Sequence, residues 1–118
     1  MTYLENFIQD YITTALWSTT GSEEDDFEYL EEEYSKFDLA PETLAEMKRD
    51  CNEFIGLIAG IEIETDHPGH DFWLTRNGHG AGFWDGDYPV WGDKLTEISK
   101  EFGECDLYVG DDNKIYII

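Results

Sequence analysis

Over the first sixty positions the apolar residues repeat at helical spacing. Tyr3, Leu4, Phe7, Ile8, Tyr11, Ile12, Ala15 and Leu16 fall in pairs four apart, which predicts an amphipathic helix over 3–16. Thr2 followed by Glu5 supplies a capping box for its start. After a break at 18–22, Phe27, Leu30, Tyr34 and Phe37 recur at spacings of three, four and three. That spacing predicts a second helix, capped by Ser22 with its carboxylates outward, and a partly ordered acidic loop is the competing reading. Pro41 suits the first turn of a third helix, on which Leu44, Met47, Cys51, Phe54, Ile55 and Ile58 form one face and which Gly60 ends. Residues 61–65 alternate like a short strand or connector, and Asp66-His67-Pro68-Gly69 reads as a turn.

Beyond position 69 the pattern changes to one of hairpins. Residues 70–76 and 79–85 flank Asn77-Gly78, a pair suited to the positive φ that a type I′ turn needs at both central positions. The implied register sets Arg76 opposite His79, Leu74 opposite Ala81, Phe72 opposite Phe83 and His70 opposite Asp85 on one face. On the other face Thr75 meets Gly80, Trp73 meets Gly82 and Asp71 meets Trp84. After a loop over 86–92, Asp93 caps a helix with Leu95, Ile98 and Phe102 inward and Gly103 at its end. A second hairpin, 105–109 with 114–118, turns at Gly110-Asp111-Asp112-Asn113. The expectation is a single α+β domain over 1–118, with helices in 1–60 packed on a ββαββ antiparallel sheet in 70–118.

Composition agrees with one core: 41% of the residues are apolar and 15% aromatic, which excludes disorder of the whole chain. No apolar run approaches the roughly 20 residues of a membrane helix. The start, Met1-Thr2-Tyr3-Leu4-Glu5, lacks the basic region of a secretory signal, so a cytoplasmic protein is expected. Cys51 and Cys105, the two cysteines, sit in apolar patterns and read as reduced thiols, which excludes a zinc site built on cysteine. Charge changes the picture more. There are 28 acidic and 7 basic side chains, a net of -21. From Glu23 to Glu33 eight of eleven positions are carboxylates. Binding phosphates takes clustered Lys and Arg, so direct contact with nucleic acid is excluded and a basic partner is favoured.

The stretch Gly69-His70-Asp71-Phe72-Trp73-Leu74-Thr75-Arg76-Asn77-Gly78-His79-Gly80-Ala81-Gly82-Phe83-Trp84-Asp85-Gly86 has a distinctive character. With Thr14-Ala15-Leu16-Trp17-Ser18, Leu39-Ala40-Pro41-Glu42-Thr43-Leu44 and Asp106-Leu107-Tyr108-Val109-Gly110-Asp111-Asp112, it resembles a family of small acidic proteins encoded by tailed bacteriophages and prophages. The resemblance spans most of the chain and implies a phage origin and a host-cytoplasmic location. It carries over no activity, cofactor or catalytic residue.

Two functional expectations follow. The first is a phage accessory protein that mimics nucleic acid and binds or inhibits a basic, DNA-handling or defence protein of the host, through Glu23, Glu24, Asp25, Asp26, Glu28, Glu31, Glu32 and Glu33. The second is a small enzyme or an anion- or nucleotide-binding module at the hairpin tip. There Arg76 and Asn77 would hold an anion, His79 or His70 would act as base, and Trp73 and Trp84, if left uncovered, would offer an aromatic surface. His67, His70, Asp66 and Asp71 match no zinc spacing, and Asp111-Asp112-Asn113 lacks the alternating ligands of a calcium loop. No metal or cofactor is expected.

Overall fold

The computed structural model describes residues 3–20, 28–59, 68–78 and 92–117. Among these are four helices, α1 (Tyr3–Ser18), α2 (Pro41–Leu57), α3 (Pro68–Arg76) and α4 (Gly92–Glu101), and one antiparallel pair, β1 (Leu107–Val109) with β2 (Ile115–Ile117). The protein is α+β with helix predominating.

α1, α2 and α4 form where the apolar periodicity placed them, because each has one face that must leave water. α1 buries Phe7, Tyr11, Ile12, Ala15 and Leu16, α2 buries Met47, Cys51 and Phe54, and α4 buries Leu95 and Ile98. The helix expected across 22–37 is instead two short 3₁₀ turns, Leu30–Glu32 and Lys36–Asp38, for the part that is described. The side chain of Glu32 accepts the backbone N–H groups of Glu28 and Tyr29, and that of Asp38 accepts the N–H of Ser35. These acids satisfy turn backbone locally, which competes with a continuous helix.

The largest correction concerns 70–76. This segment is helix α3, not a strand, so the register written for it does not form, and among the described residues the sheet is the hairpin β1–β2 in place of ββαββ. The partner half, 79–85, lies outside the described residues, as do 61–65. α3 is buried on nearly every side: Pro68, Gly69 and all of Phe72 to Arg76 are covered. A helix enclosed this way has no polar face, so its sequence shows no 3.6-residue period. Asn77-Gly78 ends the helix. Gly78 has φ of 72°, the left-handed conformation of a C-terminal cap, and Asn77 donates through Nδ2 to the carbonyl of Trp73 at 3.0 Å.

The core is an aromatic cluster between α1, α2, α3 and the end of α4. Phe72 stacks on Phe54 with centroids 4.1 Å apart, lies 5.3 Å from Tyr11, and receives Phe102 edge-on at 5.0 Å. α3 approaches α1 so closely that a Cβ on Gly69 would collide with the backbone carbonyl of Phe7. The hairpin fastens the start of α2, since the carbonyl of Ile115 accepts both the N–H of Ala40 and the hydroxyl of Thr43.

Candidate functional site

Among the described residues Arg76 makes the densest set of polar contacts. It is 6% exposed, and four of its five N–H groups donate within the protein. Nε donates to the carbonyl of Gly103 at 2.9 Å and Nη2 to that of Phe102 at 3.0 Å. Nη1 donates to the hydroxyl of Tyr11 and to Oδ2 of Asp50, each at 2.9 Å. The cation also lies within 6 Å of the Phe72 and Phe102 rings, at 5.7 and 5.6 Å. Burial opposes its charge, but Tyr11, Cys105 and Asp50 outweigh that and its pKa stands above the ordinary value. Arg76 is therefore a brace joining α1, α2, α3 and the end of α4, its guanidinium buried and committed chiefly to internal acceptors.

The other residues of the expected hairpin-tip site divide accordingly. Trp73 is buried and donates through Nε1 to the hydroxyl of Ser18 at 2.8 Å, so it offers no stacking surface. Asn77 is occupied at both ends, because its Oδ1 accepts the N–H of Cys105 at 2.8 Å. His79 and Trp84 lie outside the described residues.

His70 is the exception. It is half-buried in the first turn of α3, its ring tilted against that of Trp17 with centroids 5.5 Å apart and its Nδ1 2.9 Å from the hydroxyl of Thr14. That hydroxyl gives its one proton to the carbonyl of Asp10 at 2.7 Å, so toward His70 it accepts, and Nδ1 must carry hydrogen. A small hollow of about 260 Å³, lined by Asp10, Thr13, Thr14, Trp17 and His70, adjoins the imidazole ring. No described group of three His, Cys, Asp or Glu side chains could hold a metal. The segments Thr14–Ser18 and Gly69–Arg76, distant in sequence, are thus packed together through Thr14–His70, Trp17–His70 and Ser18–Trp73.

A second cleft, of about 560 Å³, is lined by Ser18, Thr19, Thr20, Trp73, Asn77, Glu104, Cys105 and Asp106. Its thiol is no nucleophile in waiting, since burial raises the pKa of Cys105. Burial raises the Cys51 thiol further.

The acidic surface is better developed. Of the expected carboxylates, Glu28, Glu31, Glu32 and Glu33 are exposed, and Glu23, Glu24, Asp25 and Asp26 lie outside the described residues. Sequence reasoning passed over a second row: Asp93, Glu97 and Glu101 are all exposed on α4 and stand four residues apart, about 6 Å per step along the axis. Glu104 and Asp106 follow, also exposed. The i, i+4 spacing was visible and would have found the row. Of the 7 basic side chains, Arg76 is consumed internally, which leaves Lys36, Lys48, Arg49, Lys94, Lys100 and Lys114 at the surface. No described helix is long and apolar enough to cross a membrane.

Compared with protein-family models, with curated proteins and with solved structures, the chain matches none.

Proposed function

We propose that this protein is an acidic accessory protein of phage origin that occupies the nucleic-acid-binding surface of a basic host protein and so blocks it. The observation that carries the reading is the disposition of charge. Exposed carboxylates line α4 at regular intervals and gather at 28–33, while the single buried cation is tied to Asp50. Regularly spaced carboxylates on a rigid helix present a basic cleft with negative charges at near-phosphate separations, and a net charge of -21 steers a basic partner from a distance. The aromatic core beneath holds the rows in place, so little ordering is needed on binding.

The test is capture of partners from host lysate at low and high salt, with duplex DNA as competitor. The protein should retain a basic nucleic-acid-binding protein that DNA and high salt both displace. Changing Asp93, Glu97 and Glu101 to Asn and Gln, together with Glu23, Glu24, Asp25, Asp26, Glu28, Glu31 and Glu33, should abolish capture. Unchanged capture by that variant at low salt would refute the reading.

A further inference from the structure

The face opposite in character to the acidic rows is a groove of about 390 Å³ between α1, the start of α2 and the second 3₁₀ turn. Ile8, Ile12, Leu44 and Phe37 line it, and Phe37 is 83% exposed, the most uncovered large apolar side chain among the described residues. Its ring is open to solvent along one side of this apolar strip, so a partner that covered it would gain buried area. The Nζ of Lys36 stands 5.3 Å above that ring, and Lys48 lines the groove as well. Two of the six surface cations of a chain with net charge -21 thus flank one apolar strip, with Glu5 as its one carboxylate.

We propose that this groove is a docking site for an amphipathic helical segment of a partner protein, with apolar side chains at i, i+4 and i+7 and carboxylates beside them to meet Lys36 and Lys48. Charge complementarity selects this occupant. The protein as a whole repels acidic ligands, so only local pairing with the two lysines would favour one here. At physiological ionic strength, where screening acts beyond about 8 Å, carboxylates farther off count for little, and in the groove lining two lysines stand against one carboxylate, Glu5. The mode is helix-in-groove recognition, with Phe37 as the anchor that becomes covered. It goes beyond the acidic-surface reading and does not depend on it.

The test uses two labelled synthetic helical peptides that share leucines at i, i+4 and i+7 and carry either Glu or Lys at the flanking positions. Binding to the intact protein is followed by fluorescence anisotropy at about 0.15 M ionic strength. The Glu peptide should bind at least about tenfold tighter than the Lys peptide, against the sign that net charge alone would give. Phe37→Ser should weaken it by about tenfold or more with unchanged thermal midpoint, since Phe37 is outside the core. The double change Lys36→Glu and Lys48→Glu should reverse the preference. Preference for the Lys peptide, equal binding of both, binding of neither, or full binding by Phe37→Ser would each overturn the proposal. So would a dimer in sedimentation that Phe37→Ser dissolves, because the groove would then be filled by a second copy.

Discussion

Replacing Arg76 with Met tests the central structural claim, because it keeps most of the stem's volume and removes every hydrogen bond. Four acceptors lose their donor: the Asp50 carboxylate, the Tyr11 hydroxyl and the carbonyls of Phe102 and Gly103. The carbonyls lie near the surface and can take water. Tyr11 is fully buried and cannot. Asp50 is the costly one, since its side chain is only 19% exposed and would lose the cation it faces at 2.9 Å. Removing one member of a covered pair costs about 3–5 kcal/mol, a large share of the roughly 5–15 kcal/mol that holds a domain together. At a urea slope of about 2 kcal/mol per M, a loss of about 4 kcal/mol lowers the midpoint by about 2 M. Adding Asp50→Leu should recover part of this, because it removes the orphaned carboxylate. Arg49→Met is the control. Its 3.7 Å contact with Glu46 joins side chains 68% and 44% exposed, and its loss should register below about 0.5 kcal/mol. A midpoint for Arg76→Met within about 0.5 M of the parent would refute the brace and return Arg76 to the list of groups free to hold an anion.

Other outcomes follow from the same packing. Gly69→Ala should destabilise by about 1–3 kcal/mol or more, read by thermal melting, because the added methyl meets the backbone of α1 and not a movable side chain. In native protein Cys105 should react with a thiol reagent more slowly than free cysteine and Cys51 only on unfolding, since burial raises both thiols. The same shifts set an alkaline limit. Tyr11, Cys51 and Cys105 all have folded pKa values above their ordinary ones, chiefly through burial, so the unfolded chain releases its protons first. Their contribution to stability is complete below the thiol's ordinary value of about 8.5 and is lost as pH rises beyond it, which urea midpoints in alkaline buffers would check. A rising midpoint there would contradict the burial of these groups.

How much of this was legible depended on whether an element has two unlike faces. α1, α2 and α4 do, and their apolar positions announced them. α3 does not: with Phe72, Trp73, Leu74, Thr75 and Arg76 all covered, the order of its residues carries no period. Asn77-Gly78 then pointed the wrong way, because the left-handed glycine of a type I′ turn and that of a helix end need the same residue. Choosing between them requires knowing what surrounds 70–76, which is tertiary information. The same holds for the candidate site. Carboxylates at 93, 97 and 101 were readable as one helical row, whereas nothing in the sequence links Asp50 to Arg76. The hairpin β1–β2 was readable from its turn, and Asn113 indeed takes a positive φ of 63°.

The hold that Ile115 has on the start of α2 bears on how the chain folds. A helical domain ordinarily folds quickly because its contacts are local, but Thr43 and Ile115 are 72 residues apart, so this contact waits for a long loop to close. The first turn of α2 should accordingly be completed late, after the aromatic centre has formed. Thr43→Val would then accelerate unfolding and leave the refolding rate unchanged. Slower refolding in stopped-flow measurements would place the clasp in the nucleus instead. A clasp made late is one whose loss shows in the unfolding rate, so Thr43 and Ile115, both buried, lengthen the life of the native state without hastening its formation.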